Sequence, residues 1–211
     1  TLYNNSYYAV TGIGTCTAVN IRIPSVYNGK PVTVIGGSAF RDCTVLQNIV
    51  ISAGVTSIGD RAFRDCSSLT SVIFGENSQL TSIGNNAFYG CSSLASIAIP
   101  ADVTSIGNYA FYGCSSLTSI AIPAGVTSIG SSAFSSCNSL ASITFGENSQ
   151  LTSMGDYAFL NCRNLTSIAI PAGVTSIGDY AFNGCSSLTS TTIPASVTSI
   201  GYSVFAWCNS L

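Results

Sequence analysis

The chain of 211 residues has no histidine, a single lysine (Lys30) and only 14 charged side chains, six basic and eight acidic. Without histidine there is no Ser-His or Cys-His nucleophile. A net charge of −2 supplies no basic field for nucleic acid or for an anionic membrane. Apolar residues alternate with Ser, Thr, Gly and Asn, so no run approaches the roughly 18 of a spanning helix. Glu76 and Glu147 share a motif position but stand three repeats apart. That is about 14 Å at parallel-rung spacing, outside the roughly 5–9.5 Å of a glycosidase carboxylate pair. No phosphate loop is present; the glycines fall at turn positions. The expectation is a non-enzyme without cofactor or metal, without nucleic acid as partner and without membrane insertion in this segment.

What the chain has instead is one word repeated. An Ala-Phe pair ends at Phe40, Phe63, Phe88, Phe111, Phe134, Phe159 and Phe182, and Val204-Phe205 replaces it in the last copy. The steps are 23, 25, 23, 23, 25, 23 and 23 residues. A fixed period of this size marks a repeat solenoid with one continuous core. Residues 1–30 are irregular and read as a capping segment with a first strand, Val19, Ile21 and Ile23 alternating with Asn20 and Arg22. Asn28-Gly29 marks a tight hairpin. Residues 31–211 read as about eight repeats of 23–25 residues. The chain starts at Thr1 without a signal-peptide pattern and stops at Leu211, which opens another repeat. These ends are expected to be those of a truncated or processed segment of a longer protein.

Nine cysteines invite a disulfide or metal reading, and their spacing argues against both. Cys43, Cys66, Cys91, Cys114, Cys137, Cys162, Cys185 and Cys208 each stand three residues after the repeat Phe. Stacked copies point the same way, whereas a bridge needs converging Cβ atoms and zinc needs four converging ligands. The column is therefore expected to be buried reduced thiols, packed as small core residues. Cys16 lies one residue out of this register and reads as part of a degenerate first rung.

One unit, Leu117 to Cys137, gives the rest. Ile120 and Ile122 alternate with Ser119 and Ala121, predicting a strand whose Ser and Ala face outward. Pro123 ends the strand, and Val126 and Ile129 turn back inside. Ser131, like Asp60, Asn85, Asn108, Asp156 and Asp179 elsewhere, is placed to cap a short helical turn carrying Ala133, Phe134 and Cys137 inward. The predicted core ladders are thus Phe63, Phe88, Phe111, Phe134, Phe159 and Phe182, with Cys66, Cys91, Cys114, Cys137, Cys162 and Cys185. FGENSQ at Phe74 and Phe145 adds two residues to a rung and predicts two surface loops. Thr191 interrupts the inward Ile column, predicting looser packing near the C-terminus.

The pattern LTSIAIPAGVTSIGxxAFxxCxSL, with the lead-in YYAVTG, IRIP and NGKPVTVIGGSAF, strongly resembles the BspA-type leucine-rich repeats of bacterial and protozoan surface proteins. The resemblance covers essentially the whole chain. It implies a right-handed leucine-rich-repeat solenoid with a parallel sheet on the concave side and short helical turns or loops on the convex side. It also implies an extracellular or cell-surface location, adhesion to protein or glycan ligands, and no shared catalytic residues. The Asn ladder that follows the strand in commoner leucine-rich repeats is absent from the motif.

Two outward surfaces are candidates for binding. One is the strand column of Ser96, Ala98, Ser119, Ala121, Ser142 and Thr144. The other is the aromatic set beside the helical turns, Tyr89, Tyr109, Tyr112, Tyr157 and Tyr180. Arg41, Arg61 and Arg64 beside Asp42, Asp60 and Asp65 read as local ion pairs. A Thr column from Thr33 to Thr198 raises a minor alternative, an ice-binding face, against a plainer role in bonding the turn backbone. The principal alternative to ligand binding is self-association, end to end or laterally, since low charge weakens repulsion.

Overall fold

In the computed structural model, which describes residues 1–3, 6–12 and 14–211, each repeat makes one turn of a coil with two short strands and a face built of turns. The LTSIAI segments give one strand column: β3 (Asn20–Ile23), β6 (Asn48–Ile51), β8 (Ser71–Phe74), β11 (Ser119–Ile122), β13 (Ser142–Phe145), β15 (Ser167–Ala169) and β17 (Ser190–Thr192). The VTSIG segments give the other: β5 (Lys30–Ile35), β7 (Ser57–Ile58), β9 (Ser82–Ile83), β10 (Ser105–Ile106), β12 (Ser128–Ile129), β14 (Ser153–Met154), β16 (Ser176–Ile177) and β18 (Ser199–Ile200). The N-terminal segment adds β1 (Leu2–Tyr3), β2 (Tyr7–Val10) and β4 (Val26–Tyr27). Within each column, paired strands run parallel, so the coil is a parallel β-solenoid.

The N-terminal segment is an irregular first rung. β2 runs parallel to β5, and β3 pairs with β6 in register, Asn20 opposite Asn48. β4 folds back antiparallel on β5. The two residues between them, Asn28 and Gly29, take φ of 48° and 76°, as a two-residue hairpin turn with both central residues left-handed requires.

The first column is not one sheet. β3, β6 and β8 form three strands, and β11, β13, β15 and β17 form four. The rung between them, which carries Ser96 and Ala98, has no strand in this column. Those two residues, expected on a continuous sheet, are exposed but lie in its interruption. β15 keeps only the pair Ser142–Ser167 with β13. Both weak points follow an FGENSQ rung, where two extra residues lengthen the path to the next coil.

The third face corrects the expected helical turns: among the described residues there is no helix. Each rung carries two left-handed residues four apart, such as Tyr109 (φ 57°) and Gly113 (φ 68°), or Tyr157 (φ 58°) and Asn161 (φ 59°). Left-handed residues break the i→i−4 pattern, and four residues cannot propagate a helix between them. The backbone groups bond across rungs instead: the Phe63 N–H donates to Ala87 O at 2.7 Å, and Phe134 to Ala158 O at 2.8 Å.

Inside, one continuous core runs from Ile23 to Cys208. The rings from Phe40 to Phe205 stack along the axis with centroids 5.0–5.6 Å apart and planes within 2–7°. Near the C-terminus Thr191 is half-buried, and its hydroxyl donates to Ile168 O at 3.2 Å. Ile193 in that rung is 41% exposed, against 1% for Ile122.

Candidate functional site

The cysteines divide into one bridge and a ladder. Cys16 and Cys43 form a disulfide, with Cα atoms 5.3 Å apart. This corrects the reading of Cys43 as a member of the reduced column. Cys43 stands in the first regular rung, with no earlier repeat Phe beneath it, and the irregular segment brings Cys16 there. The other seven, from Cys66 to Cys208, are free and buried. Each thiol donates to the Phe carbonyl of the rung before: Cys66 to Phe40 at 3.0 Å, Cys114 to Phe88 at 3.2 Å, Cys185 to Phe159 at 3.3 Å. Burial pushes the thiols of Cys66, Cys137 and Cys185 up to about 12, partly countered by hydrogen bonds from backbone. Such thiols are poor nucleophiles and poor metal ligands.

The polar repeat positions are equally occupied. Asp60, Asn85, Asn108, Asp156 and Asp179 do not cap helices. Each Oδ1 accepts the backbone N–H of the following rung, from Asn85, Asn108, Ser131, Asp179 and Tyr202 respectively, at 2.6–2.8 Å. The run is interrupted where Ser131 supplies neither carboxamide nor carboxylate oxygen. The glycine before each of these residues lets the rungs close: a Cβ on Gly130 would sit 2.6 Å from the Asn108 nitrogen. Thr56, Thr81, Thr104, Thr152, Thr175 and Thr198 donate their hydroxyls to the preceding Thr carbonyl at 3.0–3.3 Å. These hydroxyl protons serve the scaffold.

Two surfaces remain outside these ladders. On the turn face, Tyr89 and Tyr112 stack at 4.8 Å, Tyr109 tilts against Tyr112 at 6.0 Å, and the Arg64 guanidinium lies 4.6 Å over the Tyr89 ring. Tyr157 stacks on Tyr180 at 5.0 Å, and Tyr202 meets Tyr180 edge-on at 5.6 Å. Tyr109 and Tyr157 are about two-fifths exposed and Tyr202 is 70% exposed; Tyr89, Tyr112 and Tyr180 are half-buried. The sequence pattern brings five of these tyrosines to the surface but separates them into two clusters. The rung between carries Ser131, Ser132, Ser135 and Ser136. Arg64 and Tyr202 belong to the clusters and were legible only as a column shared with Tyr89 and a position shared with Asp179. Arg41 and Arg64 pair with Asp42 and Asp65 at 3.3 and 3.0 Å. Among the described residues Arg61 makes no such pair.

On the strand face, Ser96, Ser119, Ser142, Ala98, Ala121 and Thr144 are all exposed. Ala98, Ala121 and Thr144 lie along grooves that begin where the strand column opens; the serines do not line them. Among the described residues no group of His, Cys, Asp or Glu is placed to hold a metal ion, and no helix is long and apolar enough to cross a membrane.

The repeat geometry agrees with the sequence profile described as a BspA type leucine rich repeat region, which matches residues 11–115 and 81–211 in six copies. The chain belongs to the BspA-type leucine-rich repeat family. Among solved structures, this BspA-type chain is similar to a leucine rich cell surface protein from Faecalibacterium prausnitzii A2-165, with 36% identity and a TM-score of 0.83. That match covers 91% of this chain and 52% of the other, so the chain spans about half of that protein's length. It is also similar to the leucine rich repeat protein of T. pallidum, with 28% identity, a TM-score of 0.73, and coverage of 100% here and 86% there. A leucine-rich repeat protein from Bacteroides ovatus gives 25% identity and a TM-score of 0.64, covering 100% of this chain and 78% of that one. No curated protein matches the chain. This BspA-type coil does carry an Asx ladder, placed after its second strand column rather than its first.

Proposed function

We propose that the chain is a non-enzymatic binding module, displayed on a cell surface or secreted, that recognises protein or glycan ligands. The observation that carries this reading is the turn-face aromatic clusters. Repeated Thr, Asx and Cys groups are tied to the next coil, whereas the Tyr89–Tyr112–Tyr109 and Tyr157–Tyr180–Tyr202 groups are large, stacked and outward. Tyr offers broad contact area with few rotors to freeze, and Tyr and Arg are enriched where proteins bind. The Cys16–Cys43 disulfide supports an oxidising compartment. The cell-surface description of the Faecalibacterium protein points the same way. Adhesion is the form of binding that the family resemblance favours.

The test is a binding screen of the chain against extracellular-matrix proteins and a glycan array, repeated with Tyr89→Ala/Tyr109→Ala/Tyr112→Ala. A saturable ligand is expected, with affinity reduced about tenfold or more in the triple variant. Uniform failure to bind, or an unchanged affinity in the variant, overturns the reading.

A further inference from the structure

The Asx ladder is built with two chemistries. Asn85 and Asn108 each accept the next rung's N–H at 2.8 Å. Asp156 and Asp179 do the same at 2.8 and 2.6 Å. A neutral carboxamide therefore suffices for the scaffold, and the charge at Asp156 and Asp179 is surplus to it. That charge is also unfavourable there, since rungs about 4.8 Å apart hold two like charges side by side. Oδ1 of each is committed to the ladder. Among the described residues Oδ2 has no protein partner, and neither aspartate makes an ion pair. Residues 1–105 hold five basic and five acidic side chains, and residues 106–211 hold one and three. The whole net charge of −2 thus falls in the half that carries this pair.

Both carboxylates line a polar groove of about 560 Å³ beside the second strand column, with Asn108, Ser131, Ser153 and Ser176. Both are exposed, and no Lys or Arg lines the groove. Arg163, the one basic residue after Arg64, is absent from the lining and makes no ion pair among the described residues. The second tyrosine cluster adjoins it: Tyr157 and Tyr180 directly follow the two aspartates, and Tyr202 stands one rung beyond Asp179 in the same column.

The first cluster shows what such a set does with a cation. Arg64 pairs with Asp65 at 3.0 Å and, from the rung before, lies 4.6 Å over Tyr89, the leading ring of its stack. Tyr157 leads the second stack, is 39% exposed, and has Asp156 beside it. The rung before Tyr157 carries Ser131, Ser132 and Ser135 and no arginine. That serine rung also holds a buried side-chain oxygen without a partner, Ser135 Oγ, in a residue 1% exposed. Its column neighbours Tyr112 and Leu160 are half-buried and reach the surface, so the hydroxyl lies at the floor between the clusters. A guanidinium carries five N–H donors in one plane and stacks on aromatic faces. It matches carboxylate, ring and hydroxyl together, whereas a neutral sugar would leave the carboxylates uncompensated.

We infer that this groove binds a basic, flexible protein segment, with one arginine guanidinium seated in front of the Tyr157 ring against Asp156 and a further basic side chain at Asp179. The seat repeats with a partner's arginine the Arg64–Asp65–Tyr89 arrangement that the chain makes for itself. Two fixed carboxylates give the charge complementarity. The inference rests on the reading of the turn face as a binding surface and assigns the second cluster its own ligand class.

The test titrates the full chain into a fluorescein-labelled dodecapeptide of Gly and Ser carrying four Arg, read by anisotropy at low ionic strength. Companion peptides replace Arg by Lys, by the neutral isostere citrulline or by Glu, and a β-linked glucose hexasaccharide serves as competitor. Saturable binding is expected for the Arg peptide, weaker by about threefold for Lys and absent for citrulline and Glu. Asp156→Asn/Asp179→Asn is expected to lower the affinity about tenfold or more. Its denaturation midpoint should move little, because Asn85 and Asn108 make the same ladder bond. Tyr157→Ala and Ser135→Ala should each lower the affinity about threefold. Asp60→Asn, in the same ladder but outside the groove, should leave it unchanged. The Tyr89→Ala/Tyr109→Ala/Tyr112→Ala variant should also leave it unchanged, so this proposal and the first-cluster reading fail separately. Equal affinity for the Lys or citrulline peptide, displacement by the hexasaccharide, insensitivity to the Asp, Tyr157 or Ser135 variants, or no saturable binding would each overturn the proposal.

Discussion

At the scale of single residues, the interior is set by what a rung can offer its neighbour. Phe134 is fully buried between Phe111 and Phe159, at 5.3 and 5.4 Å. Phe134→Ala is expected to cost about 3–5 kcal/mol in a denaturant titration. The thiols give a pH signature. Burial raises Cys137 from 9.0 to about 12, as it does Cys66 and Cys185. The folded chain then holds these protons more tightly than the unfolded chain. That contribution is complete below about pH 9 and is lost as pH climbs toward about 12. The denaturation midpoint should therefore fall across this window, and Cys137→Ala should make the fall shallower. A flat profile would mean that the column is not buried as protonated thiol. The Phe and Cys columns were legible in the sequence because a strict period leaves no other way to stack them. The Asx role was not: a side chain before a turn looks the same whether its oxygen bonds its own backbone or the next coil's.

At the scale of elements, the turn face shows how a local pattern misleads. AFxxC places apolar residues three apart, which a helix would also bring to one face. The signals against it were Gly90, Gly113 and Gly184 beside the cysteines, where φ is 68–73°; in the other rungs Asp, Asn, Ser or Trp takes that conformation. The split in the first strand column was not legible at all, because the LxxIxI words continue through it unbroken. It comes from the longer preceding turn, a displacement between rungs rather than a property of either. The first rung depends on its bridge. Closing a loop of 27-residue separation contributes about 3–4 kcal/mol in the chain-entropy account. Cys16→Ser should speed hydrogen exchange in β2, β3 and β5 before the central rungs respond. Thiol titration of the unfolded wild-type chain should find seven groups without reductant and nine after reduction; nine at the outset would remove the bridge.

At the scale of the whole molecule, stability is a sum of neighbouring interfaces rather than of one global core. Deleting one complete rung, residues 119–141, joins Thr118 to Ser142 and places Ala158 and Phe159 over Ala110 and Phe111. The shortened chain should still fold cooperatively, with a denaturant m-value lower by about a tenth. Deleting half a rung should abolish folding, because it would bring Ser and Thr positions under the Phe stack. The scaffold was read from the sequence at this scale more completely than the outward surfaces were. Scaffold residues recur in every copy, while the tyrosine clusters and the groove arise from what differs between copies. The Asx, Thr and thiol ladders carry one further consequence, and it concerns inheritance. Each donor finds its acceptor one coil away, whichever coil that is, so an exchange between two near-identical stretches of the gene that adds or removes whole coils leaves every ladder joined. Such a gene can change the reach of its product without first inventing a new fold.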